Sequence, residues 1–174
     1  MIRLPAAAAL GLAAAVAASP ALAQTTATAA VKAGDGKDAG VVTITEAPHG
    51  VLLKIELKGL TPGWHAAHFH EKGDCGTPDF KSAGAHVHTA ATTVHGLLNP
   101  DANDSGDLPN IFAGADGSAT AEIYSTLVSL KGAGGRPALL DADGSSIVVH
   151  ANADDHKTQP IGGAGARVAC GVIK

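Results

Sequence analysis

Three histidines fall within six residues in the stretch Trp64-His65-Ala66-Ala67-His68-Phe69-His70-Glu71, in a chain that holds nine histidines in all. A neutral imidazole offers a nitrogen that can ligate a metal or carry a proton near neutral pH. His68 and His70, two positions apart, place both rings on one face of an extended strand, where a single Zn, Cu, Ni or Fe ion could span them. His65 has the opposite parity and does not join that pair; it reads as a structural histidine bonded to nearby loop backbone. Alone, the pair is weak evidence, and a polar face of solvated histidines would be the better reading if the chain held no further ligands. Further donors shift the balance: His86, His88 and His95 lie downstream. His150 ends the run Ser146–His150, in which Ile147 and Val149 can face inward while Val148 and His150 face outward.

The segment ahead of these donors has the form of an export leader. Arg3 supplies the positive start, residues 6–18 are apolar, Ser19-Pro20 would break a helix, and Ala21-Leu22-Ala23 is a small-residue cleavage site that makes Gln24 the new first residue. Residues 24–174 then form one domain of about 150 residues, enough to bury a core. In an exported protein the only two cysteines, Cys75 and Cys170, favour a disulfide. Closing so long a loop is worth up to about 4 to 5 kcal/mol. Two thiolate metal ligands are the weaker alternative, because neither cysteine sits in a C-x-x-C pair. With 16 acidic against 12 basic residues the chain is mildly acidic, which argues against nucleic acid as a partner. No run has the length of a confident membrane span.

The elements that must position the donors are short strands, since glycine is abundant and long helical periodicity is scarce. Residues 41–46 and 51–57 form a hairpin about Pro48-His49-Gly50, and the histidine stretch is a strand from Trp64 to about Glu71. Residues 72–110 are too long for an ordinary connection and read as a functional loop. A second hairpin pairs residues 110–113 with 119–124 across Asp116-Gly117. Residues 127–140 are ambiguous, 146–150 form a strand, 151–166 a loop, and the last strand starts near Arg167. The Thr/Ala-rich start, 24–30, reads as frayed. Strands without helices imply an all-β sandwich or barrel.

Six segments carry a resemblance to a known family: GWHAAHFHEKGDCG (Gly63–Gly76), SAGAH (Ser82–His86), HGLLNP (His95–Pro100), GDLPN (Gly106–Asn110), VVHANADD (Val148–Asp155) and GGAGARVACGVI (Gly162–Ile173). In kind and order they resemble the copper/zinc superoxide dismutases, in their exported, periplasmic bacterial branch, from about residue 30 onward. This family is itself a standard example of electrostatically steered, near diffusion-limited catalysis on a β-sandwich. The resemblance implies a Greek-key barrel of about eight antiparallel strands with long metal-binding and active-site loops. It implies disproportionation of superoxide to dioxygen and hydrogen peroxide by Cu(II)/Cu(I) cycling, in defence of the periplasm. Copper would be held by His68, His70, His86 and His150, and zinc by His86, His95, Asp107 and a fourth donor. His86 would bridge the metals, release copper on reduction and carry a proton. Asp154 would orient one histidine of each metal, and Arg167 would attract the anion with a cation that cannot deprotonate.

Two positions depart from the family pattern. The fourth zinc ligand is usually a histidine; here Asp104 stands in its place. A carboxylate oxygen is attached directly to Cγ, as imidazole Nδ1 is, so Asp104 can present oxygen where nitrogen would be, at about 2.0 to 2.2 Å from zinc. The extra carboxylate predicts a more basic bridge and an altered zinc affinity. His88 stands where the family commonly has asparagine, and reads as a supporting or exposed side chain rather than a replacement ligand. A non-enzymatic exported copper buffer is the rival reading, and Arg167 weighs against it. Exported bacterial relatives are often homodimers, for which Trp64 and Tyr124 are the candidate interface residues.

Overall fold

The first strand is the one that composition conceals. In the computed structural model, which describes residues 24–174, the Thr/Ala-rich start is β1 (Thr26–Ala33), an interior strand paired on both sides rather than a frayed end. Ala27, Ala29 and Val31 are buried while the residues between them are exposed. That period of two is the strand signal, carried here by small side chains inside and β-branched threonines outside. The leader expected over residues 1–23 lies outside the described residues.

The hairpin read from sequence is β2 (Asp38–Ala47) and β3 (Gly50–Leu57), with Ala47 opposite Gly50 across a two-residue turn. The histidine strand is interrupted. β4 (Gly63–His65) and β5 (Ala67–His70) flank Ala66, whose N–H donates to the Asn152 carbonyl at 2.8 Å and whose carbonyl accepts from the His150 N–H at 2.9 Å. β4 pairs with β6 (Ile111–Ala113), whereas β5 pairs with β8 (Ser146–His150). β7 (Ala119–Ser125) pairs with β3, and β9 (Arg167–Ile173) lies between β8 and β1.

The larger sheet runs β5-β8-β9-β1-β2-β3-β7 and the smaller β4-β6. Because β4 continues into β5 through Ala66, and a turn from Gly114 to Ser118 joins β6 to β7, the two sheets curl into one barrel. With β4 and β5 taken as one interrupted strand, the barrel has eight. The chain leaves β3, passes over two strand positions to enter β4, returns through β6 and β7, and passes over again to β8, which is Greek-key connectivity.

Inside the barrel, Val42, Ile44, Leu53, Ile55, Phe69, Ile147 and Val149 form the main apolar core. The ambiguous residues 127–140 contribute Val128, Leu130 and Leu139 to it, joined by a bridge from Ser129 to Ala138. Outside the barrel a second cluster of Phe80, Ala83, Val148 and Cys170 pins the long loop to β8 and β9. No helix among the described residues is long and apolar enough to cross a membrane.

Candidate metal centre

Phe69 points into the barrel and is fully buried, which forces its neighbours His68 and His70 to the other face. His150 leaves the adjacent strand on that same side, and the long loop folds His86 over them. Donor nitrogens of His68, His70, His86 and His150 lie within 4.8 Å of one another, and all four side chains are buried. Opposite ligands around one ion stand about 4 Å apart at ordinary bond lengths, so one ion fits this group.

The hydrogen bonds identify the atom each ring presents. His68 Nε2 is paired with Asp154 at 3.0 Å, His70 Nδ1 donates to the Gly84 carbonyl at 3.0 Å, and His150 Nδ1 donates to the Gly165 carbonyl at 3.1 Å. What remains unpartnered is His68 Nδ1, His70 Nε2, His86 Nε2 and His150 Nε2, one nitrogen from each ring of the group. Buried polar atoms without partners are costly, and four converging ones fit a bound cation.

The other nitrogen of His86 faces a second set. His86 Nδ1 lies 2.7 Å from Asp104 Oδ2 and 3.6 Å from Asp107 Oδ1; His95 Nδ1 lies 3.5 Å and 2.6 Å from the same two oxygens. The edge of a tetrahedron of zinc ligands is about 3.3 Å, so these four atoms are near the spacing zinc needs. His68 also falls within 4.8 Å of His86, His95 and Asp107. Its Nε2 is committed to Asp154 and its Nδ1 belongs to the first set, so Asp104 is the better fourth donor.

Asp154 spans both sets. Oδ2 accepts from His68 Nε2 and Oδ1 from His95 Nε2, each at 3.0 Å. Residues with no chemical signature in the sequence hold this arrangement. Asn110 donates to the Asp154 carbonyl and accepts from the Asp154 N–H, both at 2.8 Å. Gln159 accepts from the His95 N–H at 2.9 Å and donates to its carbonyl at 2.8 Å. Gly162 lies so close that a Cβ there would stand 1.6 Å from Asp154 Oδ1. An amide paired reciprocally with a distant backbone leaves no periodic or spacing signal. Gly162 opens the segment GGAGARVACGVI that carries the resemblance, but no spacing in the sequence shows that it meets Asp154.

Arg167 Nη1 donates to the Phe80 carbonyl at 2.7 Å and Nη2 to the Gly84 carbonyl at 2.6 Å. Gly84 O therefore accepts from both Arg167 and His70, tying the guanidinium to the first donor set. Cys75 and Cys170 are bonded, and with Phe80 they fasten this part of the loop to the barrel. A cavity of about 450 Å³ is lined by Asp79, Lys81, Gly165, Ala166 and Arg167. His65 stands outside both donor sets: Nδ1 donates to the His150 carbonyl at 2.7 Å, and Nε2 lies 2.7 Å from the Thr61 carbonyl. Its partners thus include a strand end as well as a loop. His88 Nδ1 donates to the His86 carbonyl at 2.7 Å, with Glu71 at 3.8 Å, and belongs to neither donor set.

Burial and neighbouring charge split the histidines into two kinds. Burial pushes His70 down to about 2 and His150 down to about 3, and lowers His68 against the pull of Asp154, so all three stay neutral and keep a lone pair for a metal. For His95 burial acts downward, but the carboxylates of Asp104, Asp107 and Asp154 prevail and raise it to about 11; the same contest with Asp104 and Asp107 raises His86. Burial alone would raise Asp104, Asp107 and Asp154, yet hydrogen bonds from the histidines hold all three low. The second set is thus two carboxylates against two imidazoles, a charge arrangement that suits a divalent cation.

The family model for copper/zinc superoxide dismutase matches residues 38–173. The chain is 94% identical, over the full length of both chains, to a Cu-Zn superoxide dismutase of Caulobacter vibrioides. It is 40% identical to one of Aquifex aeolicus over 80% of this chain and 81% of the relative. Among solved structures, a superoxide dismutase-like protein from Bacillus subtilis matches with TM-score 0.77 and 37% identity over 83% of this chain and 96% of the other. The Cu/Zn superoxide dismutase of Brucella abortus matches with TM-score 0.69 and 33% identity over 86% and 100%.

Proposed function

The chain belongs to the copper/zinc superoxide dismutase family, and from that membership we propose that it disproportionates superoxide with copper at the four-nitrogen set and zinc at the second. The observation that carries the reading is the convergence of four unpartnered nitrogens beside a guanidinium fixed by two carbonyls. Copper, when bound, supplies the one-electron couple that oxidises one superoxide to dioxygen and reduces a second toward hydrogen peroxide, and zinc supplies a fixed charge beside the shared ring.

His68 Nδ1, His70 Nε2, His86 Nε2 and His150 Nε2 would hold the copper, and His86 Nδ1, His95 Nδ1, Asp104 Oδ2 and Asp107 Oδ1 would hold the zinc. Arg167, which lines the cavity, binds the anion there, and its two carbonyl contacts fix the plane of the guanidinium. Burial draws its pKa down and Asp79 opposes this. His86 is the ring shared by both sets, so its Nε2 is where the chain takes up and returns a proton. Asp154 keeps the His68 and His95 rings in the tautomers that present Nδ1. A copper buffer would need the four nitrogens but gains nothing from Arg167. Pulse radiolysis of the metal-loaded protein tests the choice: fast superoxide decay that slows in Arg167→Ala supports the enzyme, and slow decay indifferent to that change sinks it.

The Cys75–Cys170 bond is consistent with an oxidising compartment. The reading therefore includes cleavage after Ala23 and residence in the periplasm, which amino-terminal sequencing of the mature protein would test by finding Gln24 first. It also includes pairing with a second copy. Trp64 is 58% and Tyr124 50% exposed, and Phe112 packs edge-on against Trp64 at 5.1 Å between ring centroids. Sedimentation of the wild type and Trp64→Glu would decide it, a monomer in both being the adverse result.

A further inference from the structure

The two donor sets differ in kind as well as in place. The first consists of imidazole nitrogens alone, whereas the second, with Asp104 rather than His68 as its fourth donor, has two nitrogens and two carboxylate oxygens. Each carboxylate is restricted to one inward oxygen, because its other oxygen is held by backbone: Gly106 N–H donates to Asp104 Oδ1 at 3.0 Å and Gly96 N–H to Asp107 Oδ2 at 2.7 Å. All four side chains are buried, the most exposed being His86 at 5%, so solvent has little access to complete a larger shell.

Those facts act as a filter from two directions. Magnesium and calcium require about six or more ligands, mostly oxygen, which a buried set limited to four cannot supply. Copper(I) is soft and favours nitrogen or sulfur, whereas carboxylates suit harder ions. Zinc accepts mixed nitrogen and oxygen in four-coordinate geometry. Resting on the reading that these four atoms hold zinc, we infer that the Asp104–Asp107 pair sorts metals: it excludes copper(I) from the second site and confines it to the four-nitrogen set. An imidazole at position 104 would give the second set three nitrogens and erase much of the chemical difference between neighbours that share His86.

Anaerobic titration of the metal-free full-length protein with copper(I), in competition with a chromogenic copper(I) chelator, tests this without reference to activity. Wild type is expected to bind a second equivalent at least about 100-fold more weakly than the first, and Asp104→His to bind it about tenfold or more tightly than wild type does. Asp104→Asn, which keeps an oxygen but loses the charge, is expected to follow wild type. If wild type itself takes two equivalents with similar affinity, the sorting inference is overturned, whether or not the variants fold. Cobalt(II) absorption separates this failure from that of the parent reading. Intense tetrahedral bands in wild type uphold the site itself, and their absence would remove the zinc reading together with the inference.

Discussion

Gly162→Ala isolates what Asp154 does. At φ +59° the backbone is left-handed, and a Cβ would stand 1.6 Å from Asp154 Oδ1 and 2.6 Å from its Cγ, so the carboxylate must leave its place. Moving it breaks the contact with His95 Nε2 at 3.0 Å, with the His156 N–H at 2.6 Å, or with His68 Nε2 at 3.0 Å. Gly163 supplies the control, since its φ is +73° and an added Cβ meets nothing within 4 Å. Both alanines cost about 1 kcal/mol in backbone strain, but only the first displaces Asp154. Losing the partner that orients a metal-bound imidazole typically weakens metal binding by about 10- to 100-fold. Zinc affinity, measured by competition with a chelator, should therefore fall by that factor in Gly162→Ala relative to Gly163→Ala. The shared strain should lower each metal-free Tm by about 2 to 4 °C. If the two variants bind zinc within about twofold of each other, Asp154 does not hold the rings and the reasoning is refuted.

Arg167→Ala should reduce the superoxide rate by about tenfold or more while leaving copper and zinc content unchanged, and Arg167→Lys should recover only part of it, because an ammonium does not reproduce the planar two-carbonyl contact. Replacing Cys75 and Cys170 with serine should lower stability by up to about 4 to 5 kcal/mol in denaturant titration, and should also slow turnover as Phe80 and Gly84 loosen from Arg167. The metal-free protein should be most stable near pH 6.5. Burial depresses His70 to about 2 and His150 to about 3, so the unfolded chain takes up more protons below 6.5 and stability falls with falling pH. His95, raised to about 11 by carboxylates that overcome its burial, stabilises fully below 6.5 and loses that contribution as pH climbs toward 11. A denaturation midpoint that rises steadily from pH 6.5 to 9 would contradict this.

Parity made three of the first set's four donors legible: Phe69 had to enter the core, so His68 and His70 had to share the other face, and the same reasoning turned His150 outward, whereas His86 was implied only by the resemblance. The interruption at Ala66 was hidden, because its cause is the backbone of His150 and Asn152, more than eighty positions away. β1 was hidden for a different reason. Alanine and threonine look like composition rather than pattern until their alternation is matched to a buried face. Asn110 and Gln159 act through backbone reached across the fold, and nothing local distinguishes such an amide from a solvated one.

The pairing of β1 sets the order in which the molecule can form. Ala29 is opposite Ile173, and Val31 opposite Gly171, so a strand made early waits for one made nearly last. β8, which carries His150 and supports the strand of His68 and His70, is itself paired with that late strand. Contacts so distant along the chain are slow to form, since loop closure must precede any gain from them. The first donor set is therefore expected to close only when the final strand pairs with β8, and a metal ion meets either scattered histidines or a finished cradle.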